Sequence, residues 1–156
     1  IIFRDIYGNW EKRYFNYNVY EIPLPDSSTA YAPASAVHLL EERVTLIMTE
    51  GIFDIIGVRE HCDPPLKEGE DDYPKIYMAN NGKSYMPTVN RIAKLGYVEQ
   101  DIKIYSDSDV PLHKFKTMRE YNPVMRINPM SIYYNTVSKD CGVPKSKIAL
   151  RCCRVI

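Results

Sequence analysis

Apolar and polar positions alternate through Phe15, Asn16, Tyr17, Asn18 and Val19, the period of a strand with one face turned inward. Gly8-Asn9, between apolar and aromatic runs, signals a hairpin upstream. Pro23 and Pro25 close the segment because neither can donate to a ladder. The period then changes. Val37, Leu40, Val44, Ile47 and Gly51 recur at intervals of three and four, which predicts an amphipathic helix over about 35–50 with Ser35 as its N-cap. The stretch "VTLIM" inside it is also β-prone, so a buried strand competes for the same residues.

Further along, "HCDPPLKEGEDDYP" reads as a loop, broken by Pro64-Pro65 and kept in water by Glu68, Glu70, Asp71 and Asp72. "KIYMA" and "KSYM" flank Asn81-Gly82, a tight-turn dipeptide, and predict a second hairpin. A short helix over Thr88 to Leu95 stops at Gly96, "DIKIY" follows as a strand, and "SDSDVP" is a turn. Residues 113–128 are basic and aromatic, with one strand in "KFKTM". Asn128-Pro129 opens a second short helix with Ile132, Tyr133 and Val137 on its apolar side, ended by Gly142 and Pro144. The predicted class is α+β: a single compact domain with β-hairpins, a longer helix and two short helices each followed by a strand. A Pro/Ser-rich connector (23–34) and an acidic loop (63–74) join the parts.

"GYVEQDIKI" (96–104) and "GVPKSKIAL" (142–150) share a Gly, an Ile six residues later and Ile or Leu at the eighth. Both follow a predicted helix. The second copy resembles the helix-to-strand corner of ubiquitin-like β-grasp proteins over this short stretch, and no function is carried from it.

Composition adds three features. Thirteen Tyr, eleven Pro and only seven Gly stand in 156 residues, and Tyr suits half-buried surfaces and interfaces. Formal charge sums to zero, yet residues 1–78 carry seven Lys/Arg against fourteen Asp/Glu, whereas 79–156 carry thirteen against six. Such asymmetry suits either an anionic partner or two halves that neutralise each other. No run of eighteen apolar residues predicts a transmembrane helix. Four sparse cysteines, two adjacent, and no Asn-x-Ser/Thr sequon fit a reducing intracellular compartment rather than a secreted disulfide framework. The first residue is Ile1 rather than Met, which fits a processed or partial chain and leaves organellar targeting open.

Candidate chemistry narrows quickly. Gly82-Lys83-Ser84 matches the tail of a phosphate-binding loop, but that motif needs Gly where Tyr77 stands, and Pro87 breaks the helix that should follow. His61-Cys62-Asp63 has no second ligand pair at zinc spacing, and Cys152-Cys153 lacks the two-residue gap of a metal or redox motif. If Cys152 and Cys153 lie on a strand, their sulfurs face opposite sides. Cys62 with His38 or His113, or Ser84 with His113, can be drawn as nucleophile and base, without a nucleophile-elbow or papain-type signature. Glu68–Asp72 does not keep the EF-hand order.

The basic aromatic stretch is the most suggestive. Lys114, Lys116, Arg119 and Arg126 interleave with Phe115 and Tyr121. Cations neutralise phosphate and rings stack on bases, although acidic protein surfaces attract the same cations. The reading is a noncatalytic protein-binding module, an accessory subunit of a larger assembly. It has no catalytic residue, metal ligand or cofactor, and binds its partner through Tyr14, Tyr17, Tyr20, Lys114, Phe115, Lys116, Arg119, Tyr121 and Arg126. Two alternatives stand beside it. One is an RNA-contacting subunit using 113–154. The other is a small Cys-dependent or metal-assisted enzyme around His61 and Cys62.

Overall fold

A computed structural model of the chain describes residues 4–5, 31–32, 44–62, 75–80, 82, 84–86, 88–89, 101–122 and 130–155. The strands are β1 (Arg4–Asp5), β2 (Tyr31–Ala32), β3 (Thr45–Thr49), β4 (Lys75–Ala79), β5 (Asp101–Ser106), β6 (Met130–Asn135) and β7 (Leu150–Val155). The helices are α1 (Ile52–Gly57), continued by a π-helical segment Val58–Cys62, and α2 (Leu112–Tyr121), with a 3₁₀ turn at Lys145–Lys147. The fold is α+β. The described strands form one mixed sheet in the order β1-β2-β4-β3-β5-β6-β7. Its centre, β4-β3-β5-β6, is parallel, and β2 and β7 flank it antiparallel. No described helix is long and apolar enough to cross a membrane.

Side-chain alternation divides the sheet into two buried faces. Leu46, Met48, Ile76, Met78, Ile102, Ile104, Met130 and Ile132 form one core with Phe115 and Met118 of α2. Ile47 and Tyr105 form the other with Val58, Cys62 and Cys141, while Ile52 and Ile55 of α1 pack with Ala79. Across that second face Tyr105 stacks on Tyr133, centroids 4.6 Å apart. Gly57 serves close packing here: a Cβ would lie 2.0 Å from the Cys141 carbonyl oxygen.

Several expected elements are corrected. The helix over 35–50 is, where described, the strand β3 followed by a bend. Every residue from Thr45 to Thr49 is buried, as in a strand covered on both faces, and a buried strand satisfies a three-and-four spacing of apolar residues as well as a helix does. Residues 35–43 lie outside the described part. "KFKTM" is helical, because Phe115 and Met118, three apart, bury together on α2. The second short helix is instead β6, whose Ile132 and Tyr134 face the core beside β5. The β-grasp-like corner therefore follows a strand, not a helix. Among the described residues no strand pairs with β4 across Asn81-Gly82: β4 pairs with β2 and β3, and Ser84–Met86 is not a strand. Gly82 takes a φ of 154°, far from the roughly 90° of the second central residue in a type I′ turn. "DIKIY" is β5 as expected. The Gly8-Asn9 hairpin, most of the 23–34 connector and the acidic loop over 63–74 lie outside the described residues.

Candidate functional site

The connection leaving β3 carries α1 onto one face, and the one leaving β5 carries α2 onto the other. Adjacent parallel strands whose connections diverge open a crevice at their carboxyl ends, where ligands of open α/β sheets bind. Here that crevice lies between Thr49 and Ser106, the last residues of β3 and β5.

Its first wall is pinned by backbone bonds. Asn80 N–H donates to the Thr49 carbonyl at 2.8 Å, and Gly82 N–H to that of Glu50 at 3.3 Å. Buried Asn80 donates through Nδ2 to the carbonyls of Gly82 (2.6 Å) and Ser84 (3.0 Å) and accepts from the Thr88 hydroxyl. These contacts hold Glu50 at the crest between β3 and α1. Asp54, one turn on, accepts from Gly51 N–H at 3.0 Å.

The second wall is a tight turn after β5. Val110 N–H donates to the Asp107 carbonyl at 3.1 Å, which displays Asp107, 6% exposed, and the exposed Asp109 together. The loop after β6 closes over them. Ser108 N–H donates to the Lys139 carbonyl at 2.8 Å. The Lys139 ammonium then lies 3.3 Å from Asp107 Oδ2 and 3.8 Å from Asp109 Oδ2. Asn135, 2% exposed, secures this loop: its Nδ2 donates to the Asp140 and Lys147 carbonyls, both at 2.9 Å. Its Oδ1 accepts from the N–H groups of Val137 and Ala149, both at 3.1 Å.

The crevice gathers carboxylates whose fields overlap: Asp140 and Asp107 act on Asp54, and Glu50, Asp107 and Asp54 act on Tyr85. Its field is felt by its neighbours. The Asp54 carboxyl is raised from 3.8 to about 6, chiefly by burial; Gly51 N–H opposes the rise and Asp140 and Asp107 add to it. The Tyr85 phenol is pushed well up, first by burial and then by Glu50, Asp107 and Asp54. Among the described residues no three His, Cys, Asp or Glu side chains are grouped so that they could hold a metal ion. Carboxylates in ones and twos, all oxygen donors, suit a hard cation that shares its sphere with water and substrate phosphate. The Lys139 ammonium between Asp107 and Asp109 is a tethered cation in such a position.

The sequence-predicted residues fall elsewhere. Lys114, Phe115, Lys116, Arg119 and Tyr121 all lie on α2. Lys114, Lys116 and Tyr121 are exposed, whereas Phe115 is 2% exposed and belongs to the core. Tyr14, Tyr17, Tyr20 and Arg126 lie outside the described residues, as does His38. Cys62 is buried and hydrogen-bonded to Cys141, and this contact, followed by burial, raises the Cys141 thiol far above its ordinary value. A nucleophilic cysteine needs access, and both of these thiols are buried. Cys152 is exposed and Cys153 half-buried on β7, on opposite faces as expected for adjacent strand residues. Sequence reading took "SDSDVP" for a turn alone and missed its carboxylates. The available signal was an acidic Asp-x-Asp directly after an apolar strand. Comparison with known proteins gives no matching family model, no matching curated protein and no matching solved structure.

Proposed function

We propose that this chain is a divalent-cation-dependent phosphoryl-transfer domain acting on a phosphate ester. The single observation that carries the reading is the pair of buried Asp107 and exposed Asp109 after β5, with the Lys139 cation seated between them. Magnesium is usually held by one or two carboxylates plus substrate phosphates, and Asp107 and Asp109 would supply the protein's oxygens. When bound, the cation would polarise a phosphoryl oxygen and neutralise developing charge. Lys139, 58% exposed at its side chain, is then released from the carboxylates and can meet the phosphate's negative charge. Asp54, with its raised pKa, stands nearby as a group able to hold a proton near neutral pH.

The test is calorimetric titration of Mn²⁺ into the wild type and Asp107→Asn, paired with turnover of a phosphodiester probe. We expect saturable binding, weakened at least about tenfold in the variant, and turnover that requires the cation. Equal binding by both proteins would count against the reading. A second reading, the noncatalytic binding module, is favoured by Phe53 and Ile56 on α1, 54% and 40% exposed. It expects no cation-dependent turnover, so the same titration separates the two.

A further inference from the structure

Beside the carboxylates lies a groove of about 310 Å³ between α2 and the segment after β4, at the small end of the range for ligand pockets. Its floor is made by Tyr85 and Phe115, both 2% exposed, with ring centroids 5.9 Å apart. Lys114 and Tyr121 line it from α2, seven residues apart and so on one helix face. Ser84 and Met86 line it from the other side. The chemistry of this lining is specific. Tyr121 is 74% and Met86 38% exposed, an aromatic ring and a thioether left in water at the mouth of an apolar slot. A plane that stacks against both would satisfy them. Exposed Lys114 at the rim supplies positive charge beside that slot, complementary to a phosphate backbone. Tyr85 ties groove to crevice, since its ring forms the floor while its phenol lies within the field of Glu50 and Asp107.

We propose that this groove takes an unpaired base of a single-stranded nucleic acid, with Tyr121 and Met86 as stacking surfaces and Lys114 on the adjoining phosphate. The inference rests on the phosphoryl-transfer reading for its direction, because it names the phosphate ester that the crevice would act on. Stacking on an exposed ring is tolerant of base identity, so a base in this groove adds affinity without strong sequence preference.

The test compares two single strands of equal length by fluorescence anisotropy, one of thymidines and one with abasic sites throughout. Both carry the same phosphates. The wild type should prefer the base-bearing strand by about fivefold or more. Tyr121→Ala and Met86→Ala should lose most of that preference and keep the wild-type dependence on salt. Lys114→Gln should do the opposite, keeping the preference while its binding falls less steeply with salt. Equal affinity for the two strands, or no binding of either, overturns the proposal. A base preference that survives where Mn²⁺ does not bind would overturn the phosphoryl-transfer reading and leave the base site standing. Circular dichroism of each variant checks that the fold is retained.

Discussion

Asp54 ties protonation to stability at a single residue. Its folded pKa of about 6 lies above its ordinary 3.8, so between these values the native state binds more protons than the unfolded chain. Stability therefore falls as pH rises through this window. The contribution is fully present below the lower value and lost above the higher one. Asparagine cannot ionise and still offers an oxygen to Gly51 N–H. Asp54→Asn should gain on the wild type by about 1–2 kcal/mol between about pH 4 and about pH 7.5, after discounting for partial solvent screening. Urea unfolding at both pH values checks this, and a difference that does not change with pH would refute the cause given. Lys139 acts in the contrary sense, since its charge relieves the repulsion between Asp107 and Asp109.

At the scale of elements, the loop after β6 is tied together by Asn135. Four hydrogen bonds from this one side chain fix residues 137, 140, 147 and 149. Asn135→Ala leaves buried donors and acceptors without their partner, which should cost about 2–3 kcal/mol. It should also loosen Lys139 over the carboxylates. Denaturant unfolding measures the first effect, and a loss below about 0.5 kcal/mol would contradict the assigned role. Such an arrangement is not legible in sequence, because it depends on which strands become neighbours. The strand β5 was legible, since "DIKIY" is short, apolar and bounded by polar residues. β3 was legible only as one of two readings: its five buried residues fit either period, and only the neighbours β4 and β5 decide. α2 was misread because Lys114, Phe115, Lys116 and Thr117 alternate like a strand, while the deciding pair is Phe115 with Met118. The basic surface was found before the acidic crevice for a related reason. A charge run announces itself locally, whereas Glu50 and Asp107 both act on Tyr85 only through the order of the sheet.

For the whole molecule, the two oppositely charged halves of the sequence lie side by side in the sheet and meet where β3 pairs with β5. β3 and β4 come from the acidic half, β5, β6 and β7 from the basic one, and the crevice draws carboxylates from both. A cation bound there stabilises the native state by linkage, by about 2.7 kcal/mol at a hundredfold excess over its dissociation constant. In a chain of this size each kcal/mol raises Tm by about 2–4 °C. Mg²⁺ at that excess should therefore raise the Tm of the wild type by several degrees and that of Asp107→Asn by about half as much or less. Scanning calorimetry with and without the ion makes the comparison, and equal shifts in both proteins would place the ion elsewhere.

The central position of β3 has a consequence for biosynthesis. Its partners on either side are residues 75–79 and 101–106, both made after it. At about 5–20 residues per second, the ribosome leaves roughly three to ten seconds between completion of β3 and delivery of β5. During that interval "TLIMT", a stretch without charge, presents an open edge. Parallel pairing between distant segments is slow in any case. The nascent chain thus offers an unpaired apolar strand to its surroundings early, and recruitment of a chaperone to this stretch on stalled ribosomes would trace the vulnerability to sheet order rather than to composition.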